Sequence, residues 1–241
     1  MTRTIHLACI WSALVFVALF GVGLIPLAHF VPPPSPTETA DQIAALYRSH
    51  TNGIRIGMVI AQIGACLVVP WGVGIAVLTG RIRGVPIALP LLQIVAMILN
   101  VMLAILGTVF WLGAAFRPDA VAAETTRVVN DLGWFLMILP STPMTMWEVG
   151  IGVAILMDQS EKPTFPRWAG YLVLCGAFVV IPSILIGLFK TGPFAWTGLL
   201  GFYVPLGEFF ICLTTLSILA IKAIHREDPE EAGLSLDAAT V

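Results

Sequence analysis

Three polar side chains, Asn100, Glu148 and Glu208, each lie well inside a long apolar stretch of this sequence. At the helical rise, Asn100 and Glu208 come about 18–21 Å from both ends of their stretches, and Glu148 comes about 13 Å from the end of its own. A carboxyl group at such a depth, with no Lys or Arg beside it, is expected to be protonated. The three residues therefore predict a proton-binding or polar ligand-binding site at the middle of a membrane.

The neighbours of these residues extend the prediction. Ser141 and Thr145 share a helical face with Glu148, and small or polar stripes also run past Asn100 and Glu208. Small and polar residues belong at helix–helix contacts, so we expect the three stripes to face one another. The predicted site residues are Glu148, Glu208, Asn100, Thr145 and Ser141.

Three prolines are predicted to break helices near this site, namely Pro140, Pro143 and Pro205. Proline cannot donate a backbone hydrogen bond, so each should free a carbonyl group one turn earlier. Broken helices at the membrane midplane are where secondary transporters bind substrates and protons. A second interpretation stays open, in which a neutral glutamic acid bonded to Asn100 or to a freed carbonyl is only an interhelical clamp worth roughly 1 kcal/mol.

Motifs of enzymes and metalloproteins are absent from the sequence. It contains no G-x-S-x-G, H-E-x-x-H or C-x-x-C pattern, and its four cysteines fall in four different apolar stretches. The four histidines lie at or beyond the ends of those stretches, which argues against a bis-histidine haem site. We therefore predict no catalytic residue, no metal site and no cofactor.

The composition indicates an integral membrane protein. Of 241 residues, 58% are hydrophobic and only 11% are charged, whereas soluble domains have roughly a quarter of their residues charged. No Lys- or Arg-rich block is present, so nucleic acid is not an expected partner. The expected partner is the lipid bilayer.

The apolar stretches predict an all-α polytopic membrane protein, a six-helix transmembrane bundle that forms one membrane domain over residues 1–222. The predicted spans are residues 7–30, 54–79, 86–112, 132–157, 168–189 and 196–221. The segment 223–241 is acidic and poor in large apolar residues, so we expect a disordered cytoplasmic tail.

Two short amphipathic helices are predicted on the outer side of the bundle. The first should begin at a capping box formed by Ser35 and Glu38 and run to about Ser49. The second should begin at the Arg117-Pro118-Asp119 segment and reach about Asn130.

The positive-inside rule gives the expected orientation. With both termini in the cytoplasm of a cell (plasma) membrane, seven Lys and Arg residues lie inside and five outside. In this arrangement Trp111, Trp134 and Trp196 should form an aromatic belt at the outer interface, with Trp168 on the inner side.

One segment carries a family resemblance. The sequence from Thr37 to Ile43, Leu46-Tyr47, and the sequence from Ile54 to Gly57 resemble an uncharacterised family of bacterial six-helix integral membrane proteins. The resemblance implies a six-helix fold. Because that family has no established activity, it implies no catalytic residues.

Three functions follow as hypotheses. The first is proton-linked transport or binding of a small or lipid-soluble molecule at the midplane carboxyl site. The second is a non-catalytic subunit or stabilising partner of a membrane complex. The third is an integral-membrane enzyme acting on a lipid-soluble substrate, with one glutamate as general acid or base. Under these hypotheses the expected partner of the protein is a small hydrophobic ligand or another membrane protein.

Overall fold

The computed structural model describes residues 2–226, and this part of the chain contains helices and turns but no strand. Its nine α-helices are α1 (Arg3–Val22), α2 (Ala40–Ser49), α3 (Thr51–Cys66), α4 (Val68–Gly80), α5 (Ala88–Ala114), α6 (Ala123–Ile138), α7 (Ser141–Met157), α8 (Arg167–Val179) and α9 (Val204–Arg226). Helix α9 continues to Arg226, four residues beyond the predicted membrane domain. The rest of the predicted acidic tail lies outside the described residues.

Five helical segments of the described chain are long and apolar enough to cross a membrane. They are Arg3–Leu27, Thr51–Gly80, Ala88–Ala114, Arg167–Gly187 and Leu199–Arg226. The predicted span 132–157 is not among them, because the chain breaks between α6 and α7, at residues 139 and 140, and leaves two shorter helices of 16 and 17 residues.

Prolines explain where the long segments are interrupted. Pro70, Pro90, Pro143, Pro182 and Pro205 each occupy the second or third position of a new helical segment. The first amide groups of a helix have no partner within it, so proline is tolerated there and not one turn later. Of the three prolines predicted to break helices, Pro140 lies between α6 and α7 and Pro143 lies in the first turn of α7, whereas Pro205 lies where the π-helical turn of residues 199–203 passes into α9 within one continuous helical segment.

Of the two predicted amphipathic helices, the described part of the chain contains only the first as a separate helix. The first exists as α2 and ends at Ser49 as predicted, but its capping box is formed by Thr39 and Gln42, not by Ser35 and Glu38. The second does not exist as a separate helix. Residues 117–121 form turns, and the polar segment up to Asn130 is the first half of α6, which runs on without interruption into the apolar residues.

The helices pack around two buried clusters, one near α2 and one at the opposite end. Helix α5 contacts α3, α4, α6 and α7, while α7 packs on α8 and α8 packs on α9. We call the two ends of the molecule the α2 end and the Asp158 end, after the helix and the turn found there.

The predicted outer aromatic belt is wrong for three tryptophans. Trp111, Trp134 and Trp196 are 0%, 2% and 4% exposed and belong to the cluster at the α2 end. The Trp196 indole donates to the Pro34 carbonyl oxygen at 2.8 Å. These rings are buried because α2 and the residue 30–34 connector cover them, an arrangement that residue type alone does not indicate. Trp168 is exposed, and its place on the inner side of a membrane stays a prediction.

Candidate functional site

Glu148 on α7 and Glu208 on α9 meet inside the bundle. One side-chain oxygen of each and the sulfur atom of Cys212 all lie within 4.8 Å of one another. Cys212 follows Glu208 by four residues on α9, so the two side chains share one helical face. The structure thus brings together the two carboxyl groups that the sequence stripes placed at a common depth.

The carboxyl groups are shielded from solvent, and their only close polar neighbours among the described residues are one another and the Cys212 thiol. Glu148 is 4% exposed. Its Oε2 atom and both carboxyl oxygens of Glu208 are buried with no partner among the described residues. The sequence has no Lys or Arg within residues 132–157, 168–189 or 196–221. Buried polar groups are normally satisfied, so three unpartnered carboxyl oxygens at one place call for a proton, a water molecule or a ligand.

Helix α8 forms the wall behind Glu208. A Cβ atom on Gly176 would overlap the Glu208 carboxyl group, so the missing side chain makes room for the acid. Helices α7 and α8 approach closely, since a Cβ atom on Gly152 would lie 3.0 Å from the Gly170 carbonyl oxygen. Small residues allow such backbone approach between membrane helices. The sequence analysis missed this role of α8, although its glycines at 170 and 176 were visible.

Thr145 joins α7 to α8. Its hydroxyl lies 2.9 Å from the Ser141 carbonyl oxygen and 3.1 Å from the Ala177 carbonyl oxygen, to either of which it can donate. The residue therefore has acceptors for its only proton and packs α7 in place. The structure assigns Thr145 a contact with backbone and not with the carboxyl pair.

Asn100 does not join the carboxyl pair, contrary to the predicted meeting of three stripes. Its amide donates to the Ala96 carbonyl oxygen of its own helix at 3.2 Å. Instead of α5, α8 supplies the third helix around the acids. On α5, Gln93 makes the interhelical contact: its amide donates to the Gly150 carbonyl oxygen at 3.1 Å, and it accepts from Thr79 at 3.0 Å.

Asn100 instead lines a second feature, an apolar cavity of about 250 Å³ between the carboxyl pair and the α2 end. Ser141, Pro140 and Pro205 also line it. The carbonyl group that Pro143 should free, four residues earlier, is that of Leu139, and the Ser141 hydroxyl lies 3.4 Å from its oxygen. Pro143 is not among the lining residues. The five predicted site residues, together with Pro140 and Pro205, are thus divided between the carboxyl pair, the cavity and the α7–α8 contact, and Pro143 belongs to none of them.

Nine of the 28 described residues that line the cavity are aromatic. They include Phe16, Phe30, Trp111, Trp134, Trp147 and Phe209. The indole nitrogens of Trp134 and Trp147 are buried without a hydrogen-bond partner among the described residues. Buried indole groups usually find a partner, so both are available as donors if the side chains around them move.

Trp147 and Phe209 connect the cavity to the carboxyl pair. Both line the large cavity, and both also line a small cavity of about 10 Å³ whose wall includes Glu148 and Cys212. The small cavity is at the lower limit of the volume that holds one water molecule. Trp147 and Phe209 therefore form a wall common to the two cavities.

The turn between α7 and α8 is held by Asp158. Its carboxylate accepts from the Ser160 hydroxyl at 2.6 Å, the Ser160 amide at 3.1 Å and the Thr164 amide at 2.8 Å. Burial alone raises the pKa of Asp158, but these hydrogen bonds outweigh burial and lower that pKa below its ordinary value. An ionised Asp158 thus fixes the turn that positions α7 and α8.

Comparisons with known protein families, with characterised proteins and with solved structures found no match to this chain. The functional assignment therefore depends on the geometry described above.

Proposed function

We propose that this chain is a six-span protein of the cell membrane that binds a lipid-soluble small molecule in the apolar cavity. In this proposal, the Glu148–Glu208 pair takes and releases the proton that accompanies binding or transport. The observation that carries the proposal is the shared wall formed by Trp147 and Phe209. A molecule that enters the cavity and moves these two side chains also changes how well the carboxyl pair is shielded.

The sixth span of the proposal consists of α6 and α7 together. The first half of α6 is polar, and the apolar residues that begin at Leu132 continue through the break into α7. A broken span is acceptable in a bilayer where its free backbone groups face protein or a cavity. Both Pro140 and Ser141 at this break line the cavity. The cytoplasmic position of both termini and the resemblance to six-helix membrane proteins belong to the same proposal.

The cavity favours a mostly apolar ligand with a hydrogen-bond acceptor. Its wall is largely aromatic and aliphatic, and the nearby groups with unmet hydrogen-bonding capacity include two indole donors. Ligand sites commonly combine such an apolar lining with a few polar groups that fix orientation. Some lining residues on α1 and α9, such as Gly21 and Leu206, are partly exposed, which gives a lipid-soluble molecule a lateral approach.

The Glu148–Glu208 pair gives a physical reason for a bound proton. Two carboxylates in contact, away from water and without a cation, repel each other strongly. A single shared proton removes this repulsion and supplies a donor to at least one of the unpartnered oxygens. Loss of that proton requires compensation, which a conformational change or an incoming ligand group provides.

Mass spectrometry of the protein purified gently from its membrane tests the cavity. We expect a small apolar compound to co-purify with the wild-type chain and to be lost in Ala104→Phe, which fills the cavity. The matched control is Ala8→Phe, because Ala8 is exposed on α1 and does not line the cavity. Equal retention of the compound by both variants, or a stoichiometric protein companion with no small molecule, would contradict the proposal.

Proteoliposomes containing a trapped pH-sensitive dye test whether the carboxyl pair takes part in proton movement. Under an imposed pH gradient, with the co-purified compound added, we expect Glu148→Gln and Glu208→Gln to abolish proton movement while both variants stay folded. The control Glu124→Gln changes an exposed carboxyl group on α6, and this variant should retain proton movement. Unchanged flux in both site variants would exclude proton coupling at this pair.

A further inference from the structure

We infer that Glu148, Glu208 and Cys212 form a binding site for a borderline divalent transition-metal cation of the Zn²⁺ class. The inference concerns the same carboxyl pair as the proposed function and rests on that pair being a functional site. It goes beyond the sequence analysis, which predicted no metal.

The three side chains lie close enough together to share one ion. Three potential ligand atoms, two carboxyl oxygens and one sulfur, lie within 4.8 Å of one another. Zinc–oxygen and zinc–sulfur bonds are about 2.0–2.3 Å long, so one ion between the three atoms needs only small side-chain adjustments. Glu208 and Cys212 are four residues apart on one helix, the spacing that places two ligands side by side.

The buried carboxyl oxygens of the pair also indicate a bound ligand. Glu148 is 96% buried, since its exposure is 4%, and its Oε2 atom has no hydrogen-bond partner among the described residues. Both oxygens of Glu208 are also buried and unpartnered. A divalent cation neutralises two of the three negative charges that the deprotonated ligands carry, in a place where the sequence supplies no Lys or Arg. Buried charges persist when they are paired or coordinate a metal.

The donor set selects the class of metal. Ca²⁺ and Mg²⁺ prefer oxygen ligands alone, whereas Cu⁺ prefers sulfur alone. One thiolate with two carboxylates suits Zn²⁺ or Co²⁺, which accept both kinds of donor. Three protein ligands leave a fourth position open, and the cavity of about 10 Å³ beside Glu148 and Cys212 has the size of the water molecule that would fill it.

Metal and proton compete for this site, which links the inference to the proposed function. A bound divalent cation requires deprotonated ligands, so its binding releases the proton of the carboxyl pair and the proton of the thiol.

Cobalt spectroscopy of the purified full-length chain tests the inference. After treatment with a chelator, we expect Co²⁺ to bind at one equivalent and to give a sulfur-to-cobalt charge-transfer band, which Zn²⁺ then removes. Cys212→Ser should abolish the band, and Cys66→Ser should leave it unchanged because Cys66 is exposed and outside the cluster. Glu148→Gln and Glu208→Gln should each weaken binding by more than the roughly 10–100-fold that loss of an outer partner costs.

Circular dichroism of every variant separates loss of a ligand from loss of the fold. Stoichiometric Co²⁺ without a sulfur band, a band that survives in Cys212→Ser, or no saturable binding by the folded wild-type chain would each overturn the inference. These outcomes differ from failure of the proposed function, which is loss of the apolar compound or of proton movement. If the metal inference alone fails, the compound still co-purifies.

Discussion

The carboxyl group of Glu208 on α9 lies directly over Gly176 on α8, in the space where any other residue would carry its Cβ atom. The acid that faces Glu148 therefore depends on an absent side chain on a third helix. This relationship explains how carboxyl groups on α7 and α9 meet beside α8, the helix that packs on both.

Gly176→Ala should displace the Glu208 side chain. We expect a loss of about 1–3 kcal/mol in the free energy of unfolding, the usual cost of overpacking a tight contact. The cost should fall below about 0.5 kcal/mol in a Glu208→Ala background, because the overlap is then gone. Chemical denaturation in detergent measures both values. Gly207→Ala is the matched control, since its Cβ atom meets no atom within 4 Å; an equal cost in both backgrounds would show that the contact is unimportant.

The meeting of Glu148 and Glu208 was predictable from sequence, whereas the helix behind them was not. The helical period and the shared depth of the acids place them on inward faces. Small-residue stripes, however, occur on several helices, for example at Gly57, Ala61 and Ala65 on α3 and at Ala169 and Gly176 on α8. A single sequence does not say which stripe meets which, so α5 was paired with the acids in place of α8.

The role of Cys212 was missed for a related reason. Cysteine in an apolar helix is usually a small packing residue, and this sequence has four of them. The signal that distinguishes Cys212 is its position four residues after Glu208, on the same helical face. This spacing indicates a candidate metal site only when Glu148 is known to lie opposite the two residues.

Thr145→Val should act on packing and not on the carboxyl pair. The substitution removes the hydroxyl that reaches the Ala177 carbonyl oxygen, so we expect a loss of about 1 kcal/mol in unfolding free energy. Thr142→Val, at an exposed position one turn away, should cost less. Thermal unfolding compares the two. If Thr145→Val instead abolished proton movement in proteoliposomes without destabilising the chain, the hydroxyl would belong to the site.

Infrared spectroscopy should detect the shared proton. After treatment with a chelator, and at neutral pH, we expect a protonated-carboxyl C=O stretch in the wild-type chain, because two buried acids in contact retain a proton when no metal is bound. The band should be absent from the Glu148→Gln/Glu208→Gln double variant and present in Glu124→Gln. A wild-type spectrum without this band would show that both acids are ionised or metal-bound, and metal analysis of the same sample decides between these states.

Acid should weaken the turn between α7 and α8. The folded-state pKa of Asp158 is lowered, so its contribution to stability is fully present above the unfolded value of about 3.9 and disappears as the pH falls through the lower folded-state pKa. Asp158→Asn should cost about 2 kcal/mol at neutral pH and should remove this part of the acid dependence. Denaturation between about pH 2 and 7 measures it. Glu161→Gln in the same turn is the control, and an equal acid response in Asp158→Asn would contradict the assignment.

Pro143→Ala should leave the break between α6 and α7 in place. Pro143 is the third residue of α7, where its missing amide hydrogen would have had no partner within the helix. We expect a change in unfolding free energy of less than about 1 kcal/mol and retention of the cavity compound. Pro140→Ala differs, because Pro140 lies between the helices and lines the cavity; with an amide hydrogen at that position the two helices can join, and the cavity should lose its compound. Native mass spectrometry of the two variants checks the difference, and identical behaviour would show that the break does not depend on Pro140.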